Sequence, residues 1–174
     1  MNVSRRILCC LTVMSVGGVA VPAQAEVLAF RSKLDGVYGA DATGSAATGS
    51  ARIKVDTKRQ RVSVDLTVDG ITMDALWDKL VAAPVGPVHL HKYATPDATA
   101  SVLVLPLAFG ADYRATKNGL RVTMKDYDYM AGAKLVGSTL TFDEFVAAMR
   151  SGLVILNVHT DKHNAGEISG RVEK

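Results

Sequence analysis

The stretch ARIKVDTKRQRVSVDLTV, residues 51–68, decides the fold. Ile53 and Val55 alternate with Arg52, Lys54 and Asp56. After a polar break, Val62, Val64, Leu66 and Val68 alternate with Arg61, Ser63, Asp65 and Thr67. Side chains of an extended chain point to opposite faces in turn, so apolar residues at every second position mark strands with one wet and one buried face. Thr57 to Gln60 supplies the turn that joins the two strands as a hairpin.

The same pattern extends outward. Upstream, Glu26 to Leu34 reads as a strand, and Asp35 to Ser50, rich in Gly, Ala, Ser and Thr, as a flexible connection or irregular edge. Downstream the period changes. Met73, Leu76, Trp77, Leu80 and Val81 follow helical spacing, with Thr72 as N-cap and Ile71 and Leu76 as a hydrophobic staple. This predicts a short helix over Met73 to Ala82, stopped by Pro84. Strands follow at Val88 to Tyr93, at Ala100 to Leu107 with Pro106 marking an edge, and at Leu120 to Met124. A second helix is predicted over Phe142 to Arg150. Thr141 and Glu144 form a capping box there, Leu140 and Phe145 a staple, and Gly152 the stop. Leu153 to His159 and Gly166 to Val172 complete the strands. The expectation is a mostly β protein, a Greek-key sandwich or barrel with two short connecting helices. No repeat, phosphate-binding glycine loop or second domain stands out.

The first 25 residues read as a secretory signal peptide: Arg5 and Arg6, an apolar run from Ile7 to Ala20, and small residues at Ala23 and Ala25. Cleavage is expected after Ala25, leaving one domain over 26–174 that is secreted or periplasmic. The run is too short to span a bilayer, which needs roughly 20 apolar residues. No stable membrane insertion is therefore expected after cleavage. Ser4-Arg5-Arg6 partly matches a twin-arginine signal, but Leu8 and Cys9 depart from its pattern, so an ordinary Sec signal is the preferred reading. Cys9 and Cys10 both lie in this segment, so the mature part would have no cysteine and must rest on a packed core. It would be 149 residues long, the 25 taken from 174, with 18 basic residues against 17 acidic once Arg5 and Arg6 are removed from 20. Lys58, Arg59 and Arg61 fit a solvated hairpin better than an anionic partner, so no nucleic-acid binding is expected.

Three short pieces carry a family resemblance: His89-Leu90-His91, Asn157-Val158-His159-Thr160 and Gly166-Glu167-Ile168-Ser169-Gly170. In order and spacing they resemble the CHRD domain, first described in chordin. The resemblance covers roughly Leu28 to Val172. It implies an extracellular β-rich module and no particular reaction. The chain departs from the pattern in three places. Gly36-Val37-Tyr38-Gly39 replaces the usual Glu-Val-Pro-Pro after the first glycine. Lys92-Tyr93 stands where a Gly follows His-x-His, and Ser169 where Arg is usual.

The strand period places His89 and His91 on the face opposite Val88 and Leu90, and Asn157 and His159 opposite Leu156 and Val158. If the two strands are neighbours, three imidazoles meet on one outer patch. Imidazole is a good ligand for copper and zinc. Asp161, His163 and Glu167 are further candidates, and proton competition would weaken binding below roughly pH 6 to 6.5. The alternative is a framework role, with His89 and His159 buried and bonded to backbone or to Glu167, holding the last strands in register. Glu167 is either a partner fixing a histidine tautomer or an exposed strand residue. Three functions follow. One is a non-enzymatic exported module that binds a metal or a protein partner. Another is a small metalloenzyme, since His-x-His plus a later Val-His on a β fold is similar to copper–zinc superoxide dismutase. The last is a purely structural envelope or extracellular protein. Fold likeness alone does not choose among them.

Overall fold

The computed structural model describes residues 26–38, 42–95, 98 and 100–174. The expected signal peptide over residues 1–25 and the expected cleavage after Ala25 fall outside the described residues. Nine strands form one antiparallel sheet, curled into a half-barrel. They are β1 (Val27–Asp35), β2 (Thr48–Asp56), β3 (Arg61–Asp69), β4 (Val88–Tyr93), β5 (Ser101–Leu107), β6 (Tyr113–Ala115), β7 (Gly119–Asp128), β8 (Val154–Val158) and β9 (Ile168–Glu173). Their order across the sheet is β5-β4-β8-β9-β1-β2-β3-β7-β6. After β3 the chain leaves for the far end to lay down β4 and β5. It then returns to place β7 beside β3, and finally sets β8 and β9 between β4 and β1. These non-sequential neighbours are the Greek-key feature of the topology.

The 51–68 stretch behaves as its alternation requires. β2 and β3 pair from Thr48↔Asp69 to Asp56↔Arg61, so the connection is the four residues 57–60. Ile53, Val55, Val62, Val64, Leu66 and Val68 are all buried. They join Leu28, Phe30, Val88, Leu90, Leu156 and Val158 in one core cluster on the inner face of the curl. Pro106 falls on β5, the edge strand at one end of the sheet, where a residue without N–H removes no ladder bond from a central strand. Of the Asp35 to Ser50 stretch, Asp35 Oδ1 accepts the N–H groups of Val37 and Tyr38, and regular pairing already begins at Thr48.

Helices fill the inner side. In α3 (Phe142–Arg150) the capping box is present: Thr141 Oγ1 accepts from the Glu144 N–H, and the Glu144 carboxylate accepts from the Thr141 N–H. Its Phe145 stacks on Tyr129 at 4.5 Å. Two expectations need correction. The segment from Met73 to Ala82 is not one helix. It is a 3-10 turn (Met73–Ala75) and a single helical turn, α1 (Asp78–Val81), and Thr72 makes no side-chain cap. The reason is tertiary: Leu76 forms a β-bridge with Thr160, and the Trp77 N–H donates to the His159 carbonyl. The structure adds α2 (Tyr129–Leu135), capped by Asp128 Oδ1 accepting from the Ala131 N–H, and the short strand β6, neither of which the sequence pattern predicts. Among the described residues no helix is long and apolar enough to cross a membrane.

Candidate metal centre

The site is built on β4 and β8, which lie side by side with His89 opposite Asn157 and His91 opposite Ile155. Val88 and Leu90 enter the core, so His89 and His91 face outward, as the alternation predicts. A register shift between Leu90 and His91 in the β4–β5 ladder pairs His91 with Leu103 and skips Val104. Such irregularities bend a strand and re-aim its side chains. His159 follows β8 directly. Its N–H donates to the Pro87 carbonyl, which holds it level with the start of β4.

These placements bring the three rings together. His89 and His159 stack with centroids 4.3 Å apart and planes at 27°. His91 lies 4.8 Å from His89 and 6.4 Å from His159. One nitrogen from each ring lies within 4.8 Å of the others. Three nitrogens around one zinc at the usual bond length stand roughly 3.4 Å apart, so the rings must draw closer than they stand here to share one ion.

Two tautomers are fixed by the backbone. His89 Nδ1 is 3.0 Å from the Gly86 carbonyl, and His159 Nδ1 is 2.9 Å from the Asn164 carbonyl. A carbonyl only accepts, so both rings carry the proton on Nδ1 and present a bare Nε2 lone pair. His91 Nδ1 pairs with the Ser101 hydroxyl at 3.1 Å. The His159 Nε2 is buried and has no hydrogen-bond partner.

Burial also keeps the rings neutral. His89 is pushed down to about 3 by burial, then by the neighbouring His159 and His91. His91 is pushed down to about 4 by burial and then by His159. Burial lowers His159 as well. Neutral imidazole is the form that binds metal.

Two of the rings are covered and bonded to backbone, as the framework alternative expects, and His91 is half-buried. His89 is 3% exposed and His159 6%. The turn at Gly86 and the loop after β8 close over them, and each supplies a carbonyl. Gly86 is demanded there: its φ is +71°, and a Cβ would stand 2.0 Å from the Leu107 carbonyl oxygen. The Gly-Pro pair at Gly86 and Pro87 is a turn signal in the sequence, whereas nothing in a side-chain pattern points to the Asn164 carbonyl. Ser101, the partner of His91, likewise carried no signal.

The other candidates take up different work. Asp161 Oδ1 accepts the Asp78 N–H on the exposed side of the loop. The His163 carbonyl accepts the Gly166 N–H, and its own N–H donates to Thr160 Oγ1. Neither belongs to the group of three. Glu167 does not bond a histidine. Its carboxylate accepts the Ser45 and Thr160 hydroxyls, both at 2.6 Å, while its carbonyl accepts the Thr43 hydroxyl at 2.8 Å. It therefore clamps the 43–45 stretch to the residue after His159.

No curated protein and no solved structure matches the chain. The CHRD domain model matches residues 30–172, a span that includes β4, β8 and all three histidines. The chain belongs to the CHRD domain family.

Proposed function

We propose that this protein is an exported, non-enzymatic CHRD module that holds one copper or zinc ion through His89, His91 and His159. One observation carries the reading: three neutral imidazoles converge, two with Nδ1–H given to backbone carbonyls, and one bare Nε2 is buried with nothing to bond. Metal-bound histidines usually donate their second nitrogen in this way, which fixes ring orientation and sharpens ligand basicity. Imidazole sets suit zinc and copper, and carboxylates would shift the preference toward harder ions. Export is supported by the Arg5–Ala25 pattern, and N-terminal sequencing beginning at Glu26 is its test.

The deciding experiment is metal titration of purified, metal-stripped protein. Wild type should bind one ion per chain, and His89→Ala or His159→Ala should weaken binding by about 100-fold or more. His163→Ala should not. If the histidine substitutions lower stability and leave metal affinity unchanged, the stacked pair of His89 and His159 is framework instead. Superoxide dismutation by the copper-loaded protein would move the site to the enzyme class.

A further inference from the structure

We infer that Asn157 is the fourth group of the site, its Oδ1 accepting a hydrogen bond from a solvent molecule that completes the coordination of the ion. This rests on the three-histidine metal reading.

Asn157 sits between the histidines. It is directly opposite His89 on β4, two residues before His159 in the chain, and two residues beyond Ile155, the partner of His91. Its side chain points to the same face as all three rings. It is only 7% exposed, and its Oδ1 is buried without a partner. Among the described residues three side-chain atoms share that condition: Asn157 Oδ1, His159 Nε2 and Ser32 Oγ. Ser32 shares the buried row of β1 with Phe30 and Leu34, away from this face. The other two are in the site.

A bare imidazole lone pair and a bare amide oxygen cannot satisfy each other, because both are acceptors. A water molecule on a metal ion answers both. The ion takes the Nε2 lone pair and the water's lone pair, and the water's O–H donates to Oδ1. Three protein ligands also leave zinc one position short of its usual four, the arrangement in which solvent is the fourth ligand. Direct ligation by Oδ1 fits less well, because amide carbonyl oxygen suits magnesium, calcium or manganese, and an imidazole trio does not.

Gly166 makes room for this amide. It has φ +123°, and a Cβ there would stand 3.2 Å from Asn157 Nδ2 and 3.8 Å from His159 Cε1. The backbone thus passes close to the Nδ2 end of the amide and to the His159 ring.

The test uses the full mature chain loaded with Cu(II). In water enriched in the magnetic oxygen isotope, the electron paramagnetic resonance lines of wild type should broaden, reporting a solvent ligand. Asn157→Leu keeps the volume and removes the acceptor. Its metal-free form should be at least as stable as wild type, because an unpaired buried amide is gone. It should bind Cu(II) within about tenfold of wild type, yet azide should displace its solvent at about tenfold lower concentration. Asn157→Ala should show the same azide shift if the leucine variant does not fold. Metal bound without isotope broadening overturns the inference and leaves the metal site standing. An azide response identical to wild type also overturns it, as does a loss of Cu(II) affinity beyond about 100-fold, which would make Oδ1 a ligand. Failure of wild type to bind any metal removes both readings.

Discussion

Across β2, β3 and β7 the outward side chains include Arg52, Lys54, Ser63, Asp65 and Arg121, all exposed or half-buried. Charges there meet in water, as where Arg121 grips Asp65 with bonds of 2.9 and 2.8 Å. Across β4, β8 and β9 the same outward face carries His89, Asn157 and Ser169, none more than 8% exposed. Both regions obey the same alternation. The difference is the chain laid over the second: the Gly86 turn, the loop from His159 to Gly166, and the 43–45 stretch clamped by Glu167. A face that points away from the core is wet only if nothing else is folded onto it. Where something is, polar side chains lose water and must find partners or stay unpaired.

Lowering the pH should separate the two regions most strongly. The ordinary histidine value is 6.5, and the folded values of His89 and His91 are about 3 and about 4. Between these limits the unfolded chain takes up protons that the folded chain refuses. The contribution is therefore complete above about pH 6.5 and is lost progressively as pH falls toward 4 and then 3. At the solvated end, the hydrogen bond from Arg121 holds Asp65 below its ordinary 3.8, so that contribution persists down to 3.8 and fades only below it. Urea unfolding of metal-free protein should show a midpoint that falls steadily below pH 6.5. A midpoint flat down to pH 4.5 would mean that the covered histidines already charge freely. For an ion held by these histidines, the same burial would move proton competition below the roughly pH 6 to 6.5 expected from the sequence.

Glu167→Ala tests the cover itself. It leaves the Ser45 and Thr160 hydroxyls without their acceptor, and should cost about 2 to 3 kcal/mol in chemical denaturation. Hydrogen exchange should speed up around the His159 loop. Loss of stability with unchanged exchange there would show that Glu167 does not hold the cover. A smaller effect is expected at Gly166→Ala, where φ +123° strains any L side chain; about 1 to 3 kcal/mol is the usual scale of such strain, read as a lowered melting temperature. At the other end of the sheet, Arg121→Ala should leave the denaturation midpoint within experimental error, because exposed ion pairs contribute little. A large effect there would erase the contrast between the two faces.

The legible parts of this protein are those governed by neighbours in sequence. The 51–68 hairpin and the capping box at Thr141 and Glu144 form as their residues require, because a strand's period and a helix cap are settled within a few residues. Helical spacing from Met73 to Val81 was overruled when Leu76 and Trp77 found backbone partners at Thr160 and His159, more than eighty positions away in the chain. The helix at Tyr129 went unread because Gly132 interrupts a short stretch with little periodicity.

For the site, the sequence by itself determined which residues are available and which way each points: His89 and His91 opposite Val88 and Leu90, Asn157 and His159 opposite Leu156 and Val158. Tertiary structure alone decided that β4 lies against β8, that the rings stack, that carbonyls of Gly86 and Asn164 choose their tautomers, and that Glu167 serves the cover. The physical reason is that alternation is a property of one extended chain. Solvent exclusion and hydrogen-bond partnership belong instead to segments distant in sequence that fold onto the same place.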